Sequence, residues 1–548
     1  MSSFVEHTGI LGHKHAAHLL RRCTYCFTKA QVDLFATKTP KEAVDDLFTT
    51  SPLSIAEPID YKMDTNGGHW INIGGEAVSG EAQLRLWVIG WWINEARKDT
   101  SIQHKLEFFL HQNFIVSANS ALSRELYDYM ALIRHYSLIS YKTLAYKITL
   151  DNVMIRYLDG NSNTKISPNE NYAREFFELF TIGKGPQIGI GNYTTYEEAD
   201  VIAAAKVLTG WIGRPRPFGG DDSYRDPDTD IQQADLRFQF HDTTDKQFSA
   251  AFDNAIITGA IDNEDAYREL DDLVELIFNQ PATAHNIARK LYRFFVGPTI
   301  SEEVEAAIIS PMATLLQAHN YNLEPALKVL LISEHFYDLD DADNADERIG
   351  AMIKSPLESL LQTLSFFDIP IPDPFVLPRE HYNMWYSLTV LSTMKAAGMF
   401  VYEPDSVAGY PAYYSEPSYA RNWFNGSTLI ARYKIPEIVL SGKRILTSGS
   451  TGGVQLNITL FVRDAGVITT PSDGTLLVRD LITYLFVEEP TSDRFNYFLN
   501  DIFLDGLSLI NWQFEWQHYI TSNDDSGVKI PLERLLKALL SSQEFQVM

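Results

Sequence analysis

Five polar residues that could do chemistry share one helical stripe in the stretch from Ser167 to Gly183. With successive residues 100° apart, Glu170, Asn171, Arg174, Glu175 and Glu178 fall on one side. Tyr172, Ala173, Phe176, Phe177, Leu179 and Phe180 fall on the other and must face a core. A wall of three carboxylates, a guanidinium and an amide can hold a metal ion or other cation, or supply an acid–base pair. The same pattern also describes a solvated face, because Glu170, Arg174 and Glu178 form a ladder of i,i+4 ion pairs.

Two further groups of residues have comparable potential. His104, Glu107 and His111 are spaced by three and four, so one helix stripe carries two imidazoles and a carboxylate, a set able to ligate a transition metal. This is not the zinc-protease pattern, which needs a Glu directly after the first His. His241-Asp242 follows the short run Phe238-Gln239-Phe240, an arrangement found in catalytic sites and in plain turns alike. Asp226-Pro227-Asp228-Thr229-Asp230 starts like a calcium loop, but Ile231 and Arg237 stand where an EF-hand needs Gly and Glu. Cys23 and Cys26 have redox spacing, yet helical sequence precedes them and no second pair completes a zinc site. Phosphate loops, dinucleotide fingerprints, nucleophile elbows and the kinase signature set are missing.

The elements that must position these residues read as helices. Ser167 is placed to cap the key helix, with Pro168 at its first position, Glu170 completing a capping box and Gly183 closing it. Helical periodicity also marks 14–24, 29–37, 40–49, 81–97, 102–115, 121–136, 141–158 and 196–210. Further helices are expected over 264–278, 281–296, 303–319, 323–336, 355–367 and 531–543. The fold class is therefore mainly α, two-lobed, with small irregular β elements in a loop-rich insertion (211–262) and in the second lobe. The acidic run Asp338 to Glu347 suggests a boundary between lobes 1–340 and 341–548. Residues 441–475 are rich in Gly, Ser and Thr, with a β-like run from Val454 to Val462. Leu330-Leu331-Ile332-Ser333-Glu334-His335-Phe336 is echoed by Leu539-Leu540-Ser541-Ser542-Gln543-Glu544-Phe545, a candidate duplicated helix end.

Composition narrows the partners. The 548 residues carry 45 Lys and Arg against 71 Asp and Glu, a net charge of −26, which repels phosphate backbones and makes nucleic acid a poor partner. The apolar run Leu86 to Ile93 is too short for a membrane span, which takes ~20 residues. The first residues do not read as a secretory signal. Trp87, Trp91 and Trp92 sit at helical spacing in that run and suit a core better than a sugar platform.

Several blocks together resemble bacterial domain-of-unknown-function family 1800, in particular its long Bacteroidota-type members. They are His18-Leu19-Leu20-Arg21-Arg22, Lys105 with His111 to Phe114, Ser167 to Thr181, Ala203 to Trp211, and His241-Asp242 with Lys246. Pro281 to Phe295, Lys354-Ser355-Pro356, Gly409-Tyr410-Pro411 and Ser542 to Phe545 extend the match over nearly the whole chain. The resemblance implies a secreted or surface protein, with a partner from the neighbouring-gene family 1501, whose members look like phosphatase and sulfatase relatives. No activity comes with it. Two departures stand out: Leu110-His111-Gln112-Asn113-Phe114 replaces the usual Trp-His-Asn-His-Phe, and Thr24-Tyr25-Cys26 replaces Gly-Phe-Gly. Because the polar stripe, His111 and His241-Asp242 are all positions of the family pattern, one shared site is the leading expectation. In it His111, Glu175 and Asp242 hold a divalent metal ion, and Glu178 or His241 transfers protons. Arg174 orients an anionic group, with Lys105, Glu170 and Asn171 in support. That makes a metal-dependent hydrolase or oxidoreductase; the alternative is a structural or scaffold protein in which the same residues lock helices together.

Overall fold

A computed structural model describes residues 4–49, 57–63, 66–71, 77–214, 225–338, 352–441 and 455–548. The chain is mainly α, and the expected helices form within a residue or two over most of the sequence. Among the described residues the β structure amounts to three two-stranded antiparallel sheets. These pair Gln187–Gly189 with Asn192–Tyr193, Trp211–Ile212 with Asp235–Leu236, and Lys246–Gln247 with Ile256–Ile257. No strand forms among the described residues of the second half. Part of the β-like run there is the helix Ile458–Asp464, because the side chain of Asn457 accepts the Leu460 N–H at 3.2 Å and caps it. Val454 and the acidic run from residue 339 onward lie outside the described residues.

The apolar core is continuous from Leu11 to Phe545. Trp87 and Trp92 are buried in it, and Trp91 packs half-buried against Tyr127. Segments far apart in sequence are stitched by buried polar contacts: Arg21 donates to the carbonyls of Tyr484 and Phe486, and Ile353 and Val547 form an antiparallel bridge. The sequence echo has a structural counterpart. Ser333 Oγ donates to the Leu330 carbonyl and Ser542 Oγ to that of Leu539, at 2.6 and 2.7 Å, and each hydroxyl then receives the N–H three residues on. Both motifs end in a buried phenylalanine.

One helix differs from expectation in a way that matters. It begins at Asn171, not Ser167, and after Glu175 it widens into a π-turn over Phe176–Phe180. Ser167 instead bridges back to Thr164, and Asn169 turns the chain into the helix: its Oδ1 accepts the Asn171 N–H at 3.0 Å. Local Asn side-chain bonds compete with the helix here and win.

Candidate active site

A cavity of about 190 Å³ opens where the helices Gln103–Asn113 and Pro281–Phe295 meet the π-turn and the segments 352–358 and 407–423. One water-sized probe needs ~10–15 Å³, so the cavity admits a small organic molecule. Its walls are apolar at Phe109, Phe294 and Trp423, with Glu178, Gln112, Lys290, Arg293 and Glu358 among the polar groups.

The π-turn builds one wall. A helix end leaves carbonyls without partners, and each here is met from outside. The Tyr141 hydroxyl donates to Phe180 O at 2.7 Å, Asn286 Nδ2 to Thr181 O at 2.7 Å, and Lys290 Nζ to Leu179 O. Gly183 makes the exit: its φ of +76° favours glycine, and a Cβ there would lie 2.9 Å from Asn286 Cγ. Gly183→Ala is accordingly expected to destabilise the protein by about 1–3 kcal/mol, read by chemical denaturation. The widened turn puts Glu178 on the cavity wall, with the Tyr196 hydroxyl donating to Oε1 at 2.6 Å and Lys184 2.6 Å from Oε2.

Gln112 also lines the cavity. Among the described residues neither its Oε1 nor its Nε2 meets a hydrogen-bond partner, although both atoms are buried. Gly409, with φ +87°, passes so close that a Cβ would sit 3.0 Å from Gln112 Oε1. Asn113 beside it donates to the Phe109 carbonyl at 2.6 Å. The Nε of Arg293 is likewise buried and unpartnered, while its guanidinium stands 3.5 Å from Glu416 and over the Tyr419 ring. On the far side Glu358 pairs with Lys105. Burial acts to raise the Glu358 carboxyl, and the adjacent ammonium more than offsets it, holding the group below the ordinary carboxylate range. Burial pushes the Tyr413 hydroxyl well up, with Glu358 adding to the effect, so it stays a donor.

Lys290 lines the cavity and donates to the Leu179 carbonyl, and among the described residues it has no carboxylate partner. Burial, with Arg293 adding repulsion, lowers its pKa to about 7.

The residues singled out from sequence are distributed over four places. Glu178 reaches the cavity, and Lys105 supports its wall through Glu358. Arg174, Glu170 and Asn171 stay near the surface, where Arg174 is held by Glu198 (2.6 and 3.0 Å) and Glu170 (3.0 Å). Burial raises the pKa of Glu175, and the neighbouring Glu178 carboxylate adds to this. His111 Nδ1 lies 2.9 Å from the Tyr129 hydroxyl, and burial pushes its pKa down to about 3. His104 is taken by Asp99 at 2.5 Å and Glu107 by Trp92 at 2.7 Å, so that stripe is spent on packing helices.

His241 is sealed in a separate network. Its Nδ1 donates to Thr209 O at 2.8 Å, and its Nε2 is 3.2 Å from Glu269, which Lys246 contacts through both oxygens at 2.7 Å. The side chains of all three are 0% exposed. The Asp242 carboxylate instead accepts the Thr244 N–H and hydroxyl. None of these residues lines the cavity. His111, Glu175 and Asp242 therefore do not come together as one ligand set, and among the described residues no three His, Cys, Asp or Glu side chains converge around a metal position. Cys23 and Cys26 are free thiols, pushed up to about 12 and about 11 by burial, which suits packing rather than redox exchange.

Sequence reasoning missed Gln112, Lys290 and Arg293. A signal was present for the first, which stands inside the departure from Trp-His-Asn-His-Phe; the others read as the polar side of an ordinary amphipathic helix. No helix of the described residues is long and apolar enough to cross a membrane. No curated protein and no solved structure matches the chain. A family model does, over residues 18–547, and the chain therefore belongs to the family described as a protein of unknown function (DUF1800).

Proposed function

We propose that the protein is an enzyme that binds a small organic acid in the cleft and moves a proton on it through Glu178. The carrying observation is Gln112. A buried amide with neither end bonded costs roughly 1–3 kcal/mol per unmet group, a cost that a turn of the Gln112 side chain onto a ligand in the cleft would offset. Lys290 and Arg293 supply positive charge for a carboxylate, and Glu178 stands on the same wall as the exchanging carboxyl. Tyr196 and Lys184 orient that carboxyl. A panel of short-chain hydroxy and oxo acids is expected to raise the melting temperature of the wild type. Gln112→Leu should weaken binding about tenfold without lowering the stability of the free protein, since it removes an unpaired polar group. If no acid shifts the melting temperature, the reading fails.

The assembly reading is favoured by one feature elsewhere. Ile510 and Phe514, one turn apart on Leu509–Ser522, are 77% and 70% exposed, an apolar stripe that a partner would cover. It is compatible with an enzyme that works in a complex.

A further inference from the structure

We propose that Lys290 is a carbonyl-capturing amine, which adds to the aldehyde or ketone carbon of a molecule seated in the cleft and forms an imine. The inference deepens the reading of the cleft as a small-molecule site and rests on it. Two fully buried lysines have carboxylate partners: Lys105 has Glu358, and Lys246 has Glu269. Lys354, which also lacks one, lies over the Phe545 ring and does not line the cavity. Among the described lysines, Lys290 alone combines the cavity wall, a single carbonyl acceptor and a cationic neighbour one turn on, Arg293. Desolvation and an adjacent cation are the two conditions that keep an amine neutral and nucleophilic in water. With a pKa of about 7, close to half the Lys290 side chains are neutral at pH 7, against roughly one in a few thousand for an ordinary lysine.

The step balances without a further reagent. The nitrogen lone pair forms the C–N bond as the carbonyl oxygen takes one proton and the nitrogen gives up its first. The nitrogen then gives up its second proton, the hydroxyl takes one, the C–O bond breaks, and the oxygen leaves as water. Glu178 on the same wall can pass the protons, and the Tyr413 hydroxyl, kept protonated by burial, can donate to the oxygen. A carboxylate next to the carbonyl would suit Arg293 and the unpaired Gln112 amide, so a 2-oxo acid fits the cleft best.

Reductive trapping on the full chain tests this. Acetaldehyde and, separately, pyruvate are added with borohydride at pH 7, and adducts are mapped by peptide mass spectrometry. Lys290 should be labelled at least tenfold faster than any other lysine, at a rate level above pH 7 and falling about tenfold per unit below it. Lys290→Arg and Lys290→Met should each abolish that adduct, with folding checked by circular dichroism. Labelling spread over surface lysines, or none at Lys290 with either probe, overturns the proposal. Selective trapping by acetaldehyde with no advantage for pyruvate sustains the imine and instead defeats the organic-acid reading.

Discussion

Glu269→Leu is expected to destabilise the protein by about 3–5 kcal/mol, the largest loss from any single polar substitution considered, measured by chemical denaturation. The carboxylate is the hub of the sealed network. It receives Lys246 through both oxygens, faces His241 and accepts the Ala260 N–H. Removing it leaves an ammonium with only the Asp242 carbonyl as partner, in a place with no access to water. Breaking a buried pair costs far more than replacing it, so Lys246→Met combined with Glu269→Leu should recover most of the loss. If both variants are equally unstable, the packing of Glu269 matters rather than its charge.

Lys290→Met is expected to do the reverse and stabilise the protein, by roughly 2–4 kcal/mol at pH 6. Burial has lowered the folded pKa to about 7, whereas the unfolded chain keeps an ordinary lysine value near ~10.4. Below pH 7 both states hold the proton and the folded state bears the cost of a half-buried ammonium. Between about 7 and ~10.4 the unfolded chain binds more protons, so wild-type stability rises with pH through that window. The advantage of the Met variant should therefore be greatest at pH 6 and vanish near pH 10.5. Comparing the two proteins at each pH cancels every other titrating group. A difference independent of pH would mean that the substitution merely improves packing. The loss of any activity alongside a gain in stability would be the usual signature of strain held at a working site.

Much of this was legible in the chain itself. Helical periodicity, Pro40, Pro281 and Pro356 at helix starts, and the Thr39 and Ser355 caps before the first and last of them are local features set by near neighbours. The family, too, is readable from blocks spread between His18 and Phe545. The polar stripe was legible only as a list of residues. Its geometry assumed a regular helix from Ser167, and two effects spoiled it. Asn169 took the first helical N–H while Ser167 stayed outside the helix, and the π-turn put Glu178 on the cleft, so one residue of the stripe reached it while others kept to surface ion pairs. His104, His111 and His241 carry residue types suited to catalysis, but each has a ring nitrogen engaged by a buried partner that sequence spacing cannot reveal.

The sequence by itself determined the helices, their caps, the acidic surface and the family. These depend on near neighbours or on composition, where a residue's type and spacing are the whole cause. Only the tertiary structure decided which polar groups would be satisfied and which left open. Pairing depends on chains meeting across hundreds of residues, as Lys105 meets Glu358, and as Lys290 finds the Leu179 carbonyl but no carboxylate. A charge is reactive for what fails to surround it, and that absence exists only once the chain has folded.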